Sequence, residues 1–116
     1  MTSALSSARI VITGSTRGLG FQLAREFLRT GCAVVVSGRT GTAIDAALSR
    51  LRAEFPQASV HGIACDVAEP NQVQALWDGA AKALGGVDHW INNAGIGQPT
   101  VHVWDLEPGM MEAVVR

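Results

Sequence analysis

Thr13-Gly14-Ser15-Thr16-Arg17-Gly18-Leu19-Gly20 follows directly on the apolar run Ile10-Val11-Ile12. Three glycines and a cation between a strand-like run and a helix-like one suit one task, holding a phosphate anion against bare backbone. A Cβ at the glycine positions would block that approach. A helix starting there points its unpaired N–H groups, and the positive end of its dipole, at the anion. The segment is not a P-loop, since no Gly-Lys-Ser/Thr follows. It also departs from Gly-x-Gly-x-x-Gly, because Gly18-Leu19-Gly20-Phe21-Gln22 continues with Leu23. The spacing is Thr-Gly-x-x-x-Gly-x-Gly, and the anion it suits is the pyrophosphate of a dinucleotide.

Charge bears on which dinucleotide. A site for NAD places Asp or Glu at the end of the second strand, about 20 residues after the glycine loop, to bind the ribose 2′-OH. Here that stretch reads Ser37-Gly38-Arg39-Thr40, with no carboxylate. Arg39 offers a planar donor fork suited to a phosphate, and Arg17 is a second cation placed to reach the same group. NADP(H) is therefore expected over NAD(H). The competing reading makes both arginines solvated surface charges, as most arginines are.

Other chemistry is sparse. The chain has no tyrosine, and its one lysine is Lys82. His61, His89 and His102 stand apart, and no Cys/His spacing suits a metal. Cys32 and Cys65 sit at the edges of apolar runs and read as buried, reduced thiols.

The elements that must position these residues alternate without a break. Ile10–Thr13 is the first strand. Leu19–Thr30 is the first helix, with Leu19, Leu23, Phe27 and Leu28 expected on its apolar face and Gly31 as its stop. Ala33–Ser37 is a short β-branched strand. Thr42–Phe55 is a helix with Ile44, Ala47, Leu48 and Leu51 on one face, ended by Pro56. Ser59–Ala64 is the third strand, and a helix opened by Pro70 or Asn71 runs through Leu84 to Gly85-Gly86. Asp88–Asn92 is the fourth strand, Asn93-Ala94-Gly95-Ile96-Gly97 a second glycine-containing loop, and Pro108 starts a last helix. This pattern predicts an α/β, Rossmann-like, doubly wound parallel sheet. Ligands of such sheets lie beyond the carboxyl ends of the strands, where all these loops fall.

Composition sets the bounds. At 116 residues the chain is at most one domain, 47% apolar, with a formal net charge of −1. That apolar share suits a sheet buried on both faces. The charge gives no bulk attraction for nucleic acid or an anionic membrane surface. Met1–Arg9 lacks the apolar core of a signal peptide, and no stretch approaches the roughly 20 residues of a membrane span. The expected compartment is the cytoplasm. Trp77, Trp90 and Trp104 read as packing residues on a helix, a strand and the closing loop.

Taken together, the Thr-Gly-x-x-x-Gly-x-Gly loop, Asp66-Val67 after the third strand and Asn92-Asn93-Ala94-Gly95 after the fourth resemble the short-chain dehydrogenase/reductase family. The resemblance runs from Arg9 to Arg116. It implies that Gly14, Gly18 and Gly20 cradle the pyrophosphate and adenosine ribose, with Ser15, Thr16, Arg17 and Leu19 of the same loop in the cofactor site. It implies that Asp66 accepts a hydrogen bond from the adenine amino group and Val67 covers the ring. Ala94 and Gly95 would line the nucleotide groove, and Asn93 would tie the fourth strand to its neighbours. The competing reading makes Asp66 a helix cap or turn aspartate, but its place at a strand's carboxyl end favours the adenine role. The stretches 11–20, 24–28 and 90–95 look most similar to the chlorophyll b reductase branch of the family.

The family transfers hydride between nicotinamide and a carbonyl or alcohol with a Ser…Tyr-x-x-x-Lys set that lies beyond the fourth strand. No such set is present here, so no catalytic residue is assigned. Residues 1–116 are expected to be the cofactor-binding domain of a reductase, inactive by itself and a homo-oligomer when complete. The alternative is a non-catalytic nucleotide-binding or interaction module. About four strands in the order 3-2-1-4 would leave the fourth strand as an open edge, and the chain alone is then expected to self-associate or fold poorly.

Overall fold

Val34, Val35 and Val36 are all fully buried, as β-branched residues are in a strand covered on both faces. They form the middle of β2 (Ala33–Gly38), which lies parallel to β1 (Arg9–Ile12) on one side and β3 (Val60–Ala64) on the other. The computed structural model describes residues 7–93 and the strand at 103–105. β1 pairs in parallel with β4 (His89–Ile91), so the expected order β3-β2-β1-β4 is observed. Among the described residues three helices connect the strands: α1 (Gly18–Arg29), α2 (Gly41–Glu54) and α3 (Pro70–Leu84).

The period-two alternation of the strands splits the core into two layers. Ile10, Ile12, Val34 and Val36 pack with Phe21, Ala24 and Leu28 of α1 and with Ala47 and Leu51 of α2. Val11, Val35 and Trp90 face the other way, onto Leu76 and Ala80 of α3. The Trp90 ring meets Trp77 at 5.8 Å between centroids, a tilted aromatic contact.

Two expectations are corrected. Leu19 is not on the buried face of α1 but 51% exposed, and Phe21 and Ala24 take the core positions instead. The fourth strand is not an open edge. β5 (Val103–Asp105) pairs antiparallel with β4, setting Trp90 opposite Trp104, which lies in a strand and not a loop. A chain that returns antiparallel needs no crossover helix, so the alternating pattern gave no notice of it. The helix expected from Pro108 lies outside the described residues.

The amino-terminal ends of β1 and β4 are clamped. Arg9 donates from Nε and Nη2 to the two carboxylate oxygens of Asp88, each at 2.9 Å, and from Nη1 to the Gly85 carbonyl at 2.9 Å. The Arg9 backbone N–H also donates to Asp88. Bonding to this guanidinium holds the Asp88 carboxyl down at about 2. On the helical layer, Arg25 of α1 grips both oxygens of Glu54 on α2, and Arg50 lies 4.3 Å from the Phe21 ring centroid.

Candidate functional site

At the carboxyl end of β1 the backbone turns at Gly14, with φ of +58°, and again at Gly18, with φ of +62°. These left-handed conformations strain any residue with a Cβ. A Cβ on Gly18 would meet nothing within 4 Å, so this part of the loop faces open space at the mouth of α1. Gly20 is glycine for another reason. Its Cβ would lie 2.4 Å from the Gly14 carbonyl oxygen and 2.6 Å from Asn93 Nδ2, so it lets the helix pack against the loop itself.

The loop is tied to both neighbouring strands. Ser15 is fully buried, and its Oγ donates to the Ile12 carbonyl at 2.7 Å while accepting from the Ser37 N–H at 2.9 Å. The Ser15 N–H donates to the Ser37 carbonyl at 2.8 Å. The Ser15 side chain therefore braces the loop on β2 and is turned away from solvent. On the other side, Thr13 Oγ1 donates to Asn92 Oδ1 at 3.0 Å and accepts from the Asn93 N–H at 2.9 Å. Asn93 Nδ2 donates to the Gly14 carbonyl at 3.0 Å, joining the end of β4 to the glycine loop.

The loop after β3 joins the same edge through the Cys65 N–H, which donates to the Gly38 carbonyl at 2.8 Å. Asp66 is half-buried. Its Oδ1 accepts from the Ala68 N–H at 3.0 Å, an Asx turn, and its own N–H is taken by Gln72. Glu69, not Asp66, stands at the cap of α3. Val67 is half-buried against the α3 layer. Burial pushes the Cys65 thiol upward, and neighbouring Asp66 adds to the effect, so this sulfur is a poor nucleophile. Ala94 and Gly95 lie outside the described residues.

Arg17 and Arg39 separate from the other arginines by what they touch. Arg9, Arg25 and Arg29 pair with carboxylates, Arg50 covers Phe21, and Arg52 donates to the Val60 carbonyl. Among the described residues, Arg17 and Arg39 alone of the arginines have no side-chain hydrogen bond, ion pair or ring contact. Both are exposed, and they stand in adjoining loops, since Thr16 contacts Gly38 one residue before each. Leu19 is the exposed large hydrophobic among the described residues, and Ser37 Oγ is buried without a hydrogen-bond partner there.

An open, anion-ready helix mouth and two guanidinium groups without side-chain partners fit a multiply charged anionic ligand such as a dinucleotide. A cleft of about 440 Å³ at the opposite end of the sheet, around Cys32, Phe55 and Pro56, is lined by no charged side chain. Among the described residues no metal-ligating cluster forms, and no helix is long and apolar enough to cross a membrane. Sequence reasoning missed Thr13 and Ser37. A hydroxyl at a strand's end is a weak signal until its partner loop is known.

The family model described as short chain dehydrogenase matches residues 8–116, and the chain belongs to that family. Within it, the chain is similar to a chloroplastic chlorophyll(ide) b reductase, NOL, of Oryza sativa subsp. japonica, at 45% identity over 86 residues. That match covers 74% of this chain and 25% of the relative, so the chain spans about a quarter of that protein's length. An NADPH-bound short chain oxidoreductase of Pseudomonas aeruginosa PAO1, with an atypical catalytic center, superposes with a TM-score of 0.72 at 34% identity, over 76% of this chain and 35% of that one. A short chain dehydrogenase/reductase of Burkholderia phymatum in complex with NAD reaches 0.67 at 29% identity, over 76% of this chain and 31% of that one. The fold thus serves both dinucleotides, and the choice rests on side chains.

Proposed function

We propose that this chain is the cofactor-binding portion of an NADP(H)-dependent short-chain oxidoreductase. The cofactor supplies or accepts hydride at its nicotinamide, opposite a small-molecule carbonyl or alcohol. The chain's own residues hold the dinucleotide. The α1 mouth and the Gly14–Gly18 turn receive the pyrophosphate, Arg17 and Arg39 receive the 2′-phosphate, and Asp66 and Val67 border the adenine. By the family motif, Ala94 and Gly95 belong to the same proposed cofactor site. Homo-oligomer formation by the complete protein, and the cytoplasm as its compartment, belong to the same proposal.

The observation that carries NADP(H) is the unpaired state of Arg17 and Arg39 where β2 ends without a carboxylate. A charge-assisted bond to phosphate contributes about 1.5–3 kcal/mol, or roughly 10–100-fold in affinity. Fluorescence titration should show NADPH binding tighter than NADH by about that factor, and Arg39→Ala should erase most of the difference. Equal affinities for the two cofactors would overturn the preference.

A second reading, a nucleotide-binding module without catalysis, draws on the absence of tyrosine from the 116 residues and the placement of Lys82 in the last turn of α3. The coding sequence past Arg116 separates the two. An in-frame Ser followed by Tyr-x-x-x-Lys supports the enzyme, and a stop codon supports the module. In the enzyme reading, residues 1–116 alone transfer no hydride.

A further inference from the structure

Gly38 occupies the end of β2, where a carboxylate would read an unphosphorylated ribose. Its backbone does not require glycine, since it lies in a regular strand and is not among the residues with positive φ. The requirement comes from across the loop. A Cβ at 38 would lie 2.7 Å from Thr16 Cγ2, 3.2 Å from Thr16 Oγ1 and 3.6 Å from Thr16 Cβ. The first distance is shorter than real Cβ contacts show. Threonine is β-branched and has one side-chain torsion to adjust. Rotating it exchanges methyl, hydroxyl and hydrogen among three positions, so at least one of the two positions facing residue 38 keeps a heavy atom.

We propose that Thr16 is a specificity-positioning residue: its side chain fills the space in which an acidic side chain at position 38 would begin. By this contact it holds the β2 terminus in the form that leaves the ribose 2′ position to Arg17 and Arg39. Thr16 acts through Gly38 and needs no contact with the cofactor. The inference rests on the NADP(H) reading for its functional meaning, whereas the steric coupling between positions 16 and 38 stands independently of it.

The test uses full chains carrying Gly38→Ala, Gly38→Asp, Thr16→Ala and the double combinations, read by melting temperature and by NADH and NADPH titration. Replacing glycine by alanine in a compatible strand conformation ordinarily stabilises, by restricting the unfolded chain. With Thr16 present, Gly38→Ala is expected to lower the melting temperature. With Thr16→Ala, which leaves the 3.6 Å contact as the nearest, the same substitution is expected to raise it. That change of sign is the signature of the contact, and a double-mutant cycle isolates it. Gly38→Asp alone is expected to lose NADPH affinity without gaining NADH. Thr16→Ala with Gly38→Asp is expected to gain NADH affinity by about tenfold or more. Additive melting temperatures, or a gain of NADH binding by Gly38→Asp alone, would overturn the proposal. Should the unaltered chain bind both cofactors equally, the NADP(H) reading falls, and the thermal cycle still decides whether Thr16 excludes a side chain at 38.

Discussion

At the scale of single residues, the glycine loop separates positions that share a residue type but not a reason for it. Gly18 is open to solvent with a left-handed backbone, whereas Gly20 is closed against Gly14 and Asn93. Gly20→Ala is therefore expected to cost about 1–3 kcal/mol through overpacking against a carbonyl that cannot swing away. Ser15→Ala removes a buried hydroxyl that donates once and accepts once, for a similar loss of about 1–3 kcal/mol. Urea midpoints read both, and an unchanged midpoint in either variant would contradict the packing described. The sequence showed that these residues form one loop. It could not show that Ser15 turns inward, because its partner Ser37 lies 22 positions away.

At the scale of elements, the alternation of short apolar runs with amphipathic segments was sufficient to place four strands and three helices within a residue or two. Helix faces were less legible. Leu19 shares the helical period of Leu23 and Phe27, yet it lies in the first turn of α1, where the helix leaves the sheet edge and no layer covers it. β5 was not legible at all, being three residues whose partnership is settled by β4. Strand pairing at the far end of the sheet also predicts a response to acid. The Asp88 carboxyl titrates at about 2 in the folded chain against an ordinary 3.8. A depressed carboxyl contributes stability above its unfolded value and loses it as pH falls through the folded one. The window is thus about pH 4 to 2. The side chains of Arg9 and Asp88 are 38% and 37% exposed, so screening holds the contribution to on the order of 1 kcal/mol. Asp88→Asn should flatten that part of the stability–pH curve. A wild-type curve already flat between pH 4 and 2 would show that the clamp contributes nothing.

At the scale of the whole molecule, the parallel sheet ends in an antiparallel strand that covers the flank of β4. Deleting 103–105 is expected to bare the backbone groups of β4 and drive association, visible as a rising scattered intensity with concentration. A variant that stays monomeric would place the protection elsewhere. The two ends of the sheet also use arginine in opposite ways. Arg9 is committed at the amino-terminal end by three donating nitrogens, while Arg17 and Arg39 at the carboxyl end hold no protein partner among the described residues. Substitutions at the exposed pair are therefore expected to leave the folding free energy nearly untouched, and on the NADP(H) proposal they would alter what the chain recognises. On that proposal, recognition of the cofactor and persistence of the fold would rest on different arginines, at opposite ends of the same sheet. Thr16 beside Gly38 is where, on the same proposal, the two demands would meet, because a side chain at 38 has to displace Thr16 before it can reach a ribose.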